Sequence, residues 1–142
     1  LLPYRVRCDL LWHPQWGTVR GWLGDSAVDL SIARDARGHW KLNDEPVPDL
    51  SHCIDLDLGF TPATNLLQLR RLGLSKGEGA DAPAAWVDID GGGVLSELMQ
   101  RYERRSDNEY AYEAKRFDYA ATLSVTPDCF VSDYPRLWVA EK

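Results

Sequence analysis

Residues 52–72, HCIDLDLGFTPATNLLQLRRL, constrain the fold of this chain more than any other stretch. They open on strict alternation, with His52, Ile54, Leu56 and Leu58 on one parity and Cys53, Asp55 and Asp57 on the other. That period predicts a half-buried strand. Asp55 and Asp57 then share a face, roughly 7 Å apart at the rise of an extended chain. Gly59 ends the strand, and Thr61-Pro62 is the pattern of a helix N-cap followed by proline at the first helical position. A short helix is therefore expected near residues 61–68. Ala63, Leu66, Leu69 and Leu72 recur every three residues and fit neither period, so residues 66–72 stand open between helix and strand. The paired cations Arg70 and Arg71 close the stretch.

Each chemical reading of these residues has a plainer rival. Asp55 and Asp57 can accept hydrogen bonds from sugar hydroxyls, or serve as acid and base in glycoside cleavage, which needs carboxyls roughly 5–9.5 Å apart. They can equally face solvent or pair with Arg70 and Arg71 on a neighbouring strand. Thr61, Thr64 and Asn65 can line a pocket or simply cap and turn the backbone. Arg70 and Arg71 can hold an anionic head group or balance the acids. His13, His39 and His52 have no partner at ligand spacing, and no Cys-x-x-Cys occurs, so no metal site and no cofactor is expected. The loop at 90–93 lacks the Lys-Ser/Thr of a phosphate cradle.

Elsewhere the chain reads as strands parted by turns. Residues 4–10, 16–23, 27–34 and 84–89 are strand candidates, and Asp35-Ala36-Arg37-Gly38 should fold Ile32 back onto Trp40 as a hairpin. Residues 43–50, with Pro46 and Pro48, read as a loop, and residues 73–82 as a hairpin-type connection. Residues 95–105 fit a helix or a strand. In 109–125 the apolar parity switches near Lys115-Arg116, implying a bulge or break. Residues 136–140 should end the chain as a strand carrying Trp138. About ten to twelve short strands with turns about 8–12 residues apart predict a mostly β, largely antiparallel domain. A sheet that long is expected to curl into a roll, barrel or sandwich. No internal boundary is visible, so residues 1–142 are expected to form one domain.

Composition narrows the partners. With 16 basic and 22 acidic residues the formal charge is −6, which argues against nucleic acid or an anionic membrane surface. A neutral sugar or a lipid drawn into a cavity is allowed, and six Trp with six Tyr could line one. The three cysteines lack framework spacing and fit small buried side chains in a reducing cytosol. No stretch is long and apolar enough for a transmembrane helix.

The blocks Tyr4-Arg5-Val6-Arg7-Cys8-Asp9, residues 53–65, Leu69-Arg70-Arg71-Leu72, Ala85-Trp86-Val87, Gln100-Arg101-Tyr102, Phe117 and the run around Asp133-Tyr134-Pro135 with Leu137-Trp138 resemble the bacterial "putative glycolipid-binding" family, formerly a domain of unknown function. The resemblance covers nearly the whole chain. It implies a spiral β-roll wrapped around one short helix, a homodimer, and an architecture similar to periplasmic lipoprotein carriers. Family members usually carry several tens of residues ahead of the first block, so an N-terminal portion of the usual length is expected to be lacking here. Many members have a proline in the strand before the paired arginines. Gln68 stands there in this chain, which makes that strand more regular. The implied acidic pocket carries over to Asp55 and Asp57, with Thr61 and Asn65 nearby. The leading expectation is a non-enzymatic binding protein for an amphipathic ligand such as a glycolipid. The alternatives are a glycoside- or lipid-processing enzyme using the paired aspartates, and a dimeric structural module with no small-molecule ligand.

Overall fold

Turn chemistry lays out the first third of the chain. In the computed structural model, which describes residues 2–135 and the backbone of 138 and 139, strands β1 (Tyr4–Cys8), β2 (Pro14–Leu23), β3 (Ser26–Arg34), β4 (Trp40–Leu42) and β5 (Glu45–Val47) form an antiparallel meander in sequence order. The Asp35 carboxylate accepts from the backbone N–H of Arg37 and of His39, both at 2.9 Å, and so sets the predicted hairpin. Its register places Arg34 opposite Trp40 and Ile32 opposite Leu42, two residues from the expected Ile32–Trp40 pairing. The loop expected at 43–50 is instead partly sheet. Asn43 and Asp44, with φ of 50° and 67°, form a two-residue hairpin turn whose left-handed backbone matches strand twist. Pro46 is tolerated because β5 is the sheet edge, where a missing N–H leaves no ladder bond unmade.

A second sheet has the order β6 (Asp55–Leu58), β8 (Ala84–Asp88), β9 (Val94–Leu98). Strands β6 and β8 run parallel, Asp55 opposite Ala84 and Leu58 opposite Val87. A parallel pair requires a crossover, and the helix α1 (Asn65–Leu72) and strand β7 (Gly79–Asp81) lie within it. All four residues of β6 are buried, so the half-buried strand of the alternation pattern is corrected to one covered on both faces. The first sheet supplies one cover through Val19, Leu30, Ile32 and Trp40, which pack with Leu56, Leu58, Ala85, Val87 and Leu95 in one cluster.

Residues 66–72 are helix, and the strand expected before the paired arginines is absent. The Thr61 hydroxyl accepts from the Ala63 N–H, Pro62–Thr64 makes a single 3-10 turn, and α1 follows directly. Gly73 ends the helix at φ 56°, ψ 40°, a left-handed cap that a residue without Cβ adopts freely. Leu66 and Leu69 are buried, so the apolar repeat of three serves as one helical stripe.

The third sheet, ordered β14-β13-β12-β11-β10-β7, is antiparallel. Its strands beyond β7 are β10 (Arg101–Arg104), β11 (Glu109–Ala114), β12 (Tyr119–Val125), β13 (Val131–Tyr134) and β14 (Trp138–Val139). The candidate helix at 95–105 resolves into β9 and β10, with a break at Met99-Gln100. The parity switch near 115 is a 3-10 turn, Lys115–Phe117. Part of the expected closing strand at 136–140 lies outside the described residues. Leu69 of α1 packs with Leu98, Tyr102, Tyr112, Leu123 and Val131 in a second cluster. The fold is mostly β, built from largely antiparallel sheets with one parallel pair, carries one short helix and is not closed into a barrel.

Candidate functional site

The candidate site forms where β6 hands over to α1 and faces the third sheet. Asp57 is the last acid of β6, and Gly59, Phe60, Thr61 and Pro62 lead the chain past it to Asn65. Trp86 of β8, Leu98 of β9, Tyr112 and Ala114 of β11, Phe117, Tyr119 of β12 and Tyr134 of β13 close the other side. Together they enclose a cavity of about 460 Å³, within the range of about 300–1,000 Å³ common for small-molecule sites.

The wall is aromatic. Tyr112, Tyr119 and Tyr134 pack with ring centroids 5.5–6.0 Å apart. Trp86 and Phe117 meet edge to face at 5.1 Å. The Arg116 guanidinium lies over the Trp86 ring at 4.7 Å and holds the indole from outside. Protein partners engage the tyrosine hydroxyls: Tyr112 donates to Gln100 Oε1 at 2.6 Å, Tyr119 donates to the Pro135 carbonyl at 2.7 Å, and Tyr134 is hydrogen-bonded with Tyr112. Burial pushes the Tyr112 and Tyr134 hydroxyls upward in pKa, so these rings meet the cavity as neutral groups.

The polar end is Asp57. It is only 8% exposed, and burial pushes its carboxyl up to about 7; the Asp55 charge adds to the rise while a hydrogen bond from Gln68 opposes it. Gln68, fully buried on α1, donates to the Leu56 carbonyl and accepts from the Tyr102 hydroxyl, which in turn receives the Asn65 amide at 2.6 Å. This network fixes the helix over β6 and holds Asn65 at the cavity wall.

Of the six residues singled out from sequence, the structure brings Asp57, Thr61 and Asn65 to the cavity and takes Asp55, Arg70 and Arg71 elsewhere. Asp55 is fully buried and accepts both Arg71 Nε and Nη2, at 2.7 and 2.8 Å. Its partner stands on a helix and not on a neighbouring strand. Successive helical residues are rotated by roughly 100°, so Arg70 faces away from Arg71. It reaches the Asp128 carbonyl at 3.0 Å and lies over the Trp12 ring at 4.7 Å. The acidic pair is thus divided into a structural ion pair and a cavity carboxyl. The aromatic composition allowed a ring-lined cavity, but which rings form the wall was not legible, because its members come from distant strands. The local signals were the alternation of Tyr110, Tyr112 and Ala114 and, after the parity switch, that of Phe117 and Tyr119.

Gly59 is a packing requirement of the site. A Cβ there would stand 2.5 Å from Trp86 Nε1 and 2.9 Å from the Val87 carbonyl, one of them rigid backbone. Gly59→Ala is expected to cost about 1–3 kcal/mol by overpacking and to displace the indole. A lowered thermal midpoint with altered tryptophan emission would show both effects.

The cysteines offer no nucleophile at the cavity. Cys53 is buried and pushed up to about 12, chiefly by desolvation and then by the charges of Glu97 and Asp55. Cys8, Cys53 and Cys129 are free thiols. Among the described residues, no helix is long and apolar enough to cross a membrane.

A family model described as "Putative glycolipid-binding" matches residues 1–140. A crystal structure described as a DUF1089 family protein from Pseudomonas aeruginosa is similar at a TM-score of 0.88 and 31% identity, covering 99% of this chain and 77% of that one. No curated protein matches.

Proposed function

Because the chain belongs to the "Putative glycolipid-binding" family, we propose that it is a non-enzymatic binding protein whose cavity takes an amphipathic ligand, a glycolipid. One observation carries this reading: a cavity of about 460 Å³ with an aromatic wall and a single carboxyl, Asp57, at its polar end. Ring faces suit an acyl segment and the C–H faces of a sugar, while a protonated carboxyl both donates to and accepts from hydroxyls. Thr61 and Asn65 stand beside it as further polar partners. The hydrolase reading needs a second carboxyl, and Asp55 is held by Arg71 away from the cavity. A homodimer and a cytosolic setting belong to the same proposal, the latter supported by three free thiols.

Ligand that displaces water from Asp57 favours its protonated form further, so binding is expected to weaken as pH rises through about 7. Extraction of the purified protein followed by mass spectrometry should release a glycolipid. Titration with a short-chain alkyl glycoside, followed by tryptophan fluorescence, should saturate at pH 6 and weaken several-fold by pH 8. Asp57→Asn should erase that difference. Ala114→Phe, which intrudes into the cavity, should weaken binding, and Phe117→Ala at the half-exposed rim should reduce it. No saturable binding to the native protein, or binding indifferent to both cavity variants, would overturn the reading.

A further inference from the structure

Away from the cavity, three chemically different donors converge. His52 lies in the turn ahead of β6 that the Cys53 N–H closes onto the Leu50 carbonyl, and its ring Nε2 lies 3.7 Å from Cys53 Sγ. The Glu97 carboxylate of β9 contacts the same Nε2. The nitrogen, sulfur and oxygen atoms all lie within 4.8 Å of one another. Sequence spacing could not show this, because Glu97 is 45 positions from His52. The expectation that His52 lacks a partner at ligand spacing is corrected accordingly.

We propose that His52 Nε2, Cys53 Sγ and the Glu97 carboxylate hold one zinc ion, with water in the fourth position, the Cys53 thiol releasing its proton to solvent as the metal binds. Zinc bonds thiolate sulfur at about 2.3 Å and imidazole nitrogen at about 2.0–2.1 Å in tetrahedral geometry, which separates the two donors by roughly 3.6 Å. The observed 3.7 Å between Sγ and Nε2 matches that span. Glu97 lies closer to Nε2 than two ligands of one ion stand, and it is partly exposed on β9, so a modest side-chain rotation admits the metal. A mixed nitrogen, sulfur and oxygen set suits zinc, whereas calcium and magnesium take oxygen ligands. His52 and Glu97 are 52% and 41% exposed and open the site to solvent, while Cys53 forms its buried floor. Arg116 Nη1 donates to the Glu97 carbonyl at 2.8 Å and steadies the strand that carries this ligand. An ion there would tie the entry to β6 onto the opposite edge of the second sheet.

The test uses chelator-treated protein titrated with zinc in a calorimeter and with cobalt(II) in a spectrophotometer. One ion per chain is expected, and the cobalt form should show a thiolate-to-metal charge-transfer band. His52→Ala and Glu97→Gln change partly exposed side chains and should leave the circular dichroism unaltered. Each should weaken zinc by more than the roughly 10–100-fold that losing an outer-shell partner costs. Cys53→Ser should remove the charge-transfer band. Absence of saturable one-to-one binding, a cobalt form without that band, or affinity unchanged in His52→Ala would overturn the proposal.

Discussion

Replacing Arg71 with alanine is expected to lower the unfolding free energy by about 3–5 kcal/mol, the usual cost of stranding one member of a buried ion pair. Asp55 has no exposed surface, and two hydrogen bonds from one guanidinium balance its charge. Alanine at 71 removes both and leaves the carboxylate in a strand covered on each face. Arg70→Ala provides the contrast within the same helix. Arg70 contacts an exposed carbonyl and a ring face, so its loss should cost no more than about 1.5 kcal/mol. Urea unfolding separates the two through the midpoint at unchanged slope. Replacing the pair together, Asp55→Leu with Arg71→Met, should recover most of the loss, because an apolar pair of similar volume needs no solvation. Equal effects at 70 and 71 would show that the Asp55 pairing is not what holds α1 to β6.

Asp57 should act on stability with the opposite sense. An unfolded aspartate titrates near 3.8, whereas burial holds Asp57 at about 7, so the folded chain binds the extra proton between those values. Below about pH 4 both states are protonated, and this group leaves stability unchanged. Between about pH 4 and 7 the unfolded chain ionises while the native carboxyl does not, and stability falls as pH rises. Above about pH 7 the full cost is present, on the order of 4 kcal/mol. Asp57→Asn keeps the shape and hydrogen bonding of the protonated acid without its charge. It should match the native protein near pH 4 and exceed it at pH 8, and the difference between the two pH profiles isolates this one group. Parallel profiles would show that Asp57 ionises freely in the folded state.

How far the chain could be read in advance follows from the range of each interaction. The N-cap at Thr61-Pro62, the Asp35–Gly38 turn and the break near Lys115 are local, and their side-chain chemistry was legible in a few residues. The 66–72 segment was not. A repeat of three suits a helical stripe once Gly73 caps it and Leu69 finds the third sheet, but nothing nearby decides that. Residues 43–50 misread because Pro46 signals a loop unless the strand is known to be an edge. The alternation at 52–58 is strand only over 55–58, where it reported the buried face of Leu56 and Leu58 and hid the second, since acids on a covered strand look like acids facing water until Arg71 is placed. The same limit held for the site: Asp57, Thr61 and Asn65 lie within one short stretch, while the rings opposite arrive from β8, β11, β12 and β13.

The first sheet joins only strands adjacent in sequence, whereas the second closes a parallel pair around a helix. This difference sets an order of events on the ribosome. Synthesis delivers residues 4–47 ahead of the second sheet, and their hairpins need no later segment to pair. The inner face of that meander, Val19, Leu30, Ile32 and Trp40, is nevertheless covered by Leu56, Leu58, Ala85, Val87 and Leu95, which emerge afterwards. At about 5–20 residues per second, the nascent chain carries an uncovered apolar sheet for seconds before its cover exists. During that interval the chain is most exposed to aggregation and has most use for a chaperone.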